Sequence, residues 1–158
     1  MVDSMEADTL VSIVALLISI LALFVSIYFN AKDHIRRRKQ ATIEYFEDIT
    51  SKLYNLQAKF NIKLSQLDIE MNKLDTDSEL LKDATEVLAA FERLCVGINT
   101  HIFDINILDR MAGSYLIMMY ERFNPYIEKI RTDSTRVNSY REFECVVNKI
   151  KQKRKIST

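Results

Sequence analysis

The sequence predicts an all-α protein: a single N-terminal transmembrane helix followed by an antiparallel bundle of about four helices. Three observations predict it. Leu10–Phe29 is a run of 20 residues without a charge. Glycine occurs twice and proline once in 158 residues, too little punctuation for a many-stranded β fold, which turns about every ten residues. Apolar residues recur every three or four positions through nearly all of the remainder, which is the helical period.

The uncharged run comes first. At about 1.5 Å per residue it makes a helix about 30 Å long, the thickness of the hydrocarbon core. Only helices and closed barrels cross a bilayer. A cleaved signal peptide would start basic, carry a shorter apolar stretch and end on small residues. Here the start is acidic, with Asp3, Glu6 and Asp8, and the positive charge follows the run. The core helix of a soluble protein is the other reading, and an apolar run of this length with a basic flank speaks against it. All 22 Lys and Arg lie after the run, with Arg36, Arg37, Arg38 and Lys39 close behind it. The positive-inside rule then puts that side in the cytoplasm and the N-terminus outside, as in a single-pass protein of the cell inner membrane. The expected organisation is a short extracytoplasmic tail at 1–9, the transmembrane helix at 10–30, a basic juxtamembrane segment at 31–40 and a cytoplasmic bundle at 41–158. The formal net charge is zero, but three acids precede the span. The cytoplasmic part therefore sets 22 cations against 19 acids, too small and dispersed an excess for nucleic acid.

The first bundle helix is expected from Ala41 to Leu74. Its stripe is Phe46, Ile49, Leu53, Leu56, Phe60, Leu64, Leu67, Met71 and Leu74. The step order changes around Phe60, which suits packing in a bundle better than one long coiled coil. No breaker separates this helix from the span, so the sequence permits one continuous helix. Asp75-Thr76-Asp77-Ser78-Glu79 ends it and can cap a second helix. That helix runs to about Thr100, with Leu81, Ala84, Leu88, Phe91, Cys95 and Ile98 on one face. Asp104 or Asn106 is expected to cap a third, carrying Ile107, Leu108, Met111, Tyr115, Met118, Met119 and Phe123. Asn124-Pro125 should kink or break it. Thr132-Asp133-Ser134 reads as loop and cap for a fourth helix from about Thr135 to Lys153, with Val137, Tyr140, Phe143, Val147 and Ile150 inward. The residues from Lys155 to Thr158 are expected to fray.

From Phe91 to Arg131 the chain reads FERLCVGI, then HIFD, then an aromatic-rich segment ending NPYIEKIR. With the N-terminal span and its basic stop, this resembles an uncharacterised family of small bacterial and phage membrane-anchored proteins. Those have one N-terminal span and a helical domain of unknown function. The resemblance implies the same architecture and a prokaryotic or prophage setting. It transfers no active site.

Catalytic signatures are missing: there is no GxGxxG, P-loop, HExxH or GxSxG. Cys95 and Cys145 are far apart and read as reduced, buried small hydrophobes. His34 reads as a solvated interfacial residue, and His101 as a helix-end cation. Neither builds a metal site. Glu92 sits at the edge of an apolar face, as a carboxylate paired with a neighbour such as Arg131 or Arg110, or as a functional buried acid. Gly97 falls in mid-helix, where it signals close helix approach or a local bend. No enzyme, cofactor or small-molecule substrate is expected.

Two features bear on partners. Ser12, Ala15, Ser19, Ala22 and Ser26 put the small residues of the span on one face, which favours close helix association in lipid. The competing reading is serines bonded to their own helix. Arg36, Arg37, Arg38 and Lys39, with Lys151, Lys153, Arg154 and Lys155, form two basic clusters that an up-down bundle brings to one end, near anionic lipid. The expected function is a membrane-anchored, self-associating helical interaction protein with a cytoplasmic protein partner, in a phage–host or defence setting by analogy. The alternative is a membrane effector whose oligomerised spans perturb the bilayer.

Overall fold

A computed structural model describes residues 2–60 and 79–154, with side chains from Val11 onward. Those residues form four helices and no strand: α1 Val2–Phe60, α2 Glu79–Asn99, α3 Ile105–Arg131 and α4 Arg141–Lys153. The expected positions Leu64, Leu67, Met71 and Leu74, the 75–78 cap and the tail from Lys155 lie outside the described residues. The acidic start is helical as well: α1 begins at Val2 and runs 59 residues. The chain divides into two compact units, 1–37 and 38–158.

In the first unit every residue from Val11 to Arg37 is exposed. This helix is long and apolar enough to cross a membrane.

In the second unit the stripes read from the sequence become the core. Ile49, Leu53 and Leu56 of α1 are buried, and Phe46 and Phe60 pack against the core from its edge. All six positions read for α2, from Leu81 to Ile98, are buried. Leu108, Met119 and Phe123 of α3 are buried, and Met118 and Tyr115 partly so, whereas Met111 faces outward. Phe143, Val147 and Ile150 of α4 are buried with Val146. The Phe91 and Phe143 rings stack at 5.3 Å between centroids.

One of the two alternatives at Asn124-Pro125 is excluded, and one boundary differs from expectation. Asn124-Pro125 does not break α3, which continues to Arg131 with Pro125 inside it. Pro125 offers no N–H to the Glu121 carbonyl, yet Phe123 and Ile127 on either side of it are buried, so packing holds the helix through the gap. The last helix begins at Arg141 rather than near Thr135. The Asp133 carboxylate accepts from the Thr135 N–H and hydroxyl at 2.9 and 2.8 Å, a local turn that competes with helix. Turns continue to Tyr140, whose φ of 59° lies in the left-handed region. Val137 is consequently 57% exposed instead of inward.

Gly97 also has a reason other than helix–helix approach. After α2 the chain turns at His101, φ 62°. The Ile102 and Phe103 N–H groups both donate to the Gly97 carbonyl, at 2.8 and 2.9 Å. The Phe103 ring folds onto the glycine, where a Cβ would collide with its ring carbons. Its other neighbour is Tyr45, at 5.2 Å between centroids. Gly97→Ala is therefore expected to cost about 1–3 kcal/mol, the usual range for overpacking. Phe103→Leu should recover part of that loss. Thermal unfolding of both single variants and the double variant measures the coupling; strictly additive losses would show that the ring is not what excludes the methyl.

Candidate functional site

α4 has 13 residues and cannot cap itself: its N-cap position is Tyr140, with no side-chain hydrogen bond to the helix. The cap comes from α2 instead. Glu92 accepts from the Glu142 N–H at 3.1 Å and from the Phe143 N–H at 2.7 Å. These are the orphan donors of a helix N-terminus, whose positive dipole end favours a carboxylate. Glu92 is half-buried, and its carboxyl is pushed up, first by burial and further by the Glu142 charge, against the pull of the two N–H groups. Neither Arg131 nor Arg110 is its hydrogen-bond partner. Arg131 serves the same corner differently: it donates to Ser139 O at 3.0 Å and pairs with Glu144 at 2.8 Å. The one hint in the sequence was an acid at the rim of an apolar face.

The other end of α4 is a clamp on α3. Arg154 donates to Asp109 Oδ1 and to Ser114 Oγ, both at 2.6 Å, and to the Asp109 carbonyl. Lys153 pairs with Asp109 Oδ2 at 3.1 Å. The guanidinium lies where a Cβ on Gly113 would be, so glycine at 113 makes room for Arg154. Asp109 is buried. Burial alone would push its carboxyl up, but hydrogen bonds from Lys153 and Arg154 outweigh it and hold the group below its usual value. Lys151 pairs with Glu121 at 2.9 Å.

The clamp and the α2–α3 loop share one end of this unit. Asp104 caps α3, accepting from the Asn106 and Ile107 N–H groups. The Asp104 N–H donates to buried Thr42 Oγ1 at 2.8 Å, and Thr42 in turn donates to the Arg38 carbonyl at 2.7 Å. Arg38 donates to Phe103 O at 3.0 Å. Lys149 donates to Asn99 at 2.7 Å and Lys153 to Asn106 at 2.8 Å. Lys149, Lys153 and Arg154 thus lie at the end that carries Arg38.

The remaining sequence candidates fall as follows. The span serines and alanines are exposed, and the Ser19 hydroxyl donates to the Ala15 carbonyl of its own helix at 2.8 Å. Arg36 and Lys39 are exposed, and Arg37 forms a solvated pair with Asp33 at 2.8 Å. Cys95 is buried and Cys145 half-buried, both as free thiols. Met111 borders an open groove of about 490 Å³ with Phe46, Thr50 and Tyr54.

An all-α bundle carrying an apolar N-terminal helix is the class these features define. The chain belongs to the family of a domain of unknown function, DUF4760, which matches residues 9–150. Comparison with curated proteins and with solved structures finds no match.

Two predictions follow from the ends of α4. Glu92→Ala is expected to cost about 1–2 kcal/mol, as for loss of an N-cap, and to speed amide exchange at residues 142–146 well before that of α2. Uniform acceleration across both helices would argue against a capping role. Asp109→Asn is expected to cost about 2 kcal/mol at neutral pH, the scale of hydrogen bonds to a charged group. Because the folded value of Asp109 is lowered, its contribution is complete above the ordinary aspartate value and lost as pH falls through the folded one. Thermal melts of the variant should therefore lose part of the stability change seen below about pH 4. An unaltered acid limb would mean that Asp109 is not stabilised as the anion.

Proposed function

We propose that this protein is a single-pass, membrane-anchored helical interaction protein of the inner membrane, with its N-terminus outside and residues 38–158 in the cytoplasm. The observation that carries the reading is the stretch Val11–Phe29: it is uncharged and exposed along its whole length. Every buried hydrophobic among the described residues lies between Ile49 and Ile150, so the bundle fills its core without this stretch. Lipid is the cover that suits 30 Å of apolar helix. The orientation rests on the basic residues behind it. Self-association rests on Ser12, Ala15, Ser19, Ala22 and Ser26, which lie on one side of the helix and let a second copy approach closely. The open groove beside Met111 supports docking of a cytoplasmic protein partner, since methionine surfaces adapt to varied partners. The reading assigns no catalysis, cofactor, nucleic acid or small-molecule substrate. The prokaryotic or prophage setting, and with it a place in phage–host conflict, rests on resemblance alone.

Reporter fusions and a membrane two-hybrid assay test the two halves together. A reporter that works only in the cytoplasm should be active when fused after Thr158, and one that works only in the periplasm should be silent. The opposite pattern overturns the orientation. Ser19→Ile with Ala22→Ile should lower the two-hybrid signal severalfold, because bulk blocks close approach. Leu16→Ile with Leu23→Ile should leave it nearly unchanged. Equal loss in both double variants would discard the small-residue face. Dye release from vesicles carrying the wild-type chain would favour the bilayer-perturbing alternative.

A further inference from the structure

Cations from two helices converge on the loop between α2 and α3. Arg38 of α1 reaches the Phe103 carbonyl, Lys149 of α4 reaches Asn99, and Lys153 of α4 reaches Asn106. These acceptors are neutral. They hold Arg38 and Lys149 without cancelling their charge, whereas Lys153 also pairs with the Asp109 carboxylate at 3.1 Å and shares its charge with it. Two nearby acids are held by neutral donors, keep their charge and leave the local excess of cations small. Asp104 caps α3, and Glu142 accepts from the Asn99 amide.

Between Asn99 and Phe103 in the chain stands Ile102, 60% exposed. The loop that carries it is stiff, because its polar backbone is spoken for. The Ile102 and Phe103 N–H groups are held by Gly97, the Phe103 carbonyl by Arg38, and the Asp104 N–H by Thr42. The Phe103 ring is clamped between Gly97 and Tyr45. An isoleucine on a mobile loop could fold back to cover itself; this one is held outward. An exposed apolar residue on a loop that cations also contact is the combination that suits the boundary between anionic headgroups and acyl chains.

We propose that the α2–α3 loop is a second membrane contact, in which Ile102 enters the headgroup boundary of an anionic leaflet while Arg38, Lys149 and Lys153 meet lipid phosphates. The proposal rests on the anchored reading above and goes beyond it. What selects lipid over an acidic protein is the tether. Eight residues separate Phe29 from Arg38, a link of at most about 30 Å even fully extended. That covalent link alone limits how far Arg38, and the loop bonded to it, can lie from the end of the span. The membrane is the one anionic surface always within reach.

The chain contains no tryptophan, so Ile102→Trp in the full-length protein gives a sole indole at the tip. Val137→Trp is the control. It is equally exposed but lies past the C-terminal end of α3, which is 27 residues and so about 40 Å long. Both variants are reconstituted in vesicles of phosphatidylcholine with phosphatidylglycerol, with and without brominated acyl chains. Flotation with the vesicles reports anchoring, and bromine quenching reports depth. The expected result is blue-shifted emission and about twofold quenching at position 102, with little at 137, because only the former sits at the acyl boundary. Quenching at 102 should weaken in pure phosphatidylcholine, at salt of about 0.5 M where screening is strong, and when Lys149→Gln and Lys153→Gln are added. If the protein floats but position 102 is unquenched, or is quenched no more than 137, the contact is refuted while the anchor stands. Solvent-exposed emission there would point to an acidic protein partner instead. Quenching that ignores lipid charge and the two lysines would remove the electrostatic half and overturn the assignment to anionic lipid. A protein that fails to float would refute the anchored reading and this contact with it.

Discussion

The unit at 38–158 depends on a carboxylate that caps a helix other than its own. α4 is 13 residues long and begins at a left-handed tyrosine without a capping side chain. Helices of that length are marginal in water, because the first turn fixes several residues for one hydrogen bond. Glu92 relieves the deficit by accepting two of the orphan N–H groups from across the bundle. Next to it the Phe91 ring stacks on Phe143, so polar and apolar contacts from one turn of α2 seize the same turn of α4. With its start fixed there, the helix has one rotational setting that buries Phe143, Val146, Val147 and Ile150 together.

Everything at the far end of α4 inherits that setting. Lys149 meets Asn99 one helical stretch further along α2, and Arg154 reaches across α3 to Asp109 and Ser114. The latter contact needs Gly113, just as the α2–α3 loop needs Gly97. In both cases the absent side chain makes room for another residue's side chain, Arg154 in one and Phe103 in the other. The two glycines are therefore packing positions rather than hinges. Mid-helix glycine costs about 1 kcal/mol against alanine, which the bonds of Arg154 and the burial of Phe103 offset. Asp109 differs from a solvated pair such as Arg37 and Asp33, both more than half exposed. Its side chain is 8% exposed, so losing its cations would leave a buried charge.

Much of this architecture was legible because it is periodic. The six apolar positions of α2 repeat at helical spacing with no breaker among them, and all six are buried. Asp104 was readable as a cap because a capping carboxylate acts within three residues of itself. The start of α4 was not readable, for a related reason. Asp133 has the chemistry of a cap and spends it on a local turn with Thr135, while the working cap lies fifty residues away. A single sequence carries local signals well and pairings between distant residues hardly at all. The candidate surface divides along the same line. Its basic residues stand out by composition, but that Lys149 and Lys153 lean on asparagines, and Arg38 on a backbone carbonyl, depends on how three helices meet. Pro125 shows the converse: its local signal is a strong breaker, yet buried Phe123 and Ile127 on either side carry α3 through it.

The choice of acceptor is what connects packing to the proposed surface. A lysine that ends on a carboxylate contributes little field beyond its own pair, and Lys151 on Glu121 is of that kind. Lys149, which ends on the Asn99 oxygen, is held in place with its charge uncancelled, at the cost of fixing a long side chain, whereas Lys153 divides its contacts between Asn106 and the Asp109 carboxylate. That cost is tolerable where a screening layer is close, since a lipid headgroup region supplies counter-charge without any protein carboxylate being built. The same end of the unit joins the chain that leads to the uncharged stretch of α1, so the requirement for an anionic surface and the requirement for an apolar medium fall on neighbouring segments of one sequence. On the proposed reading a bilayer with an anionic leaflet would meet both at once, whereas an acidic protein partner would answer only the first.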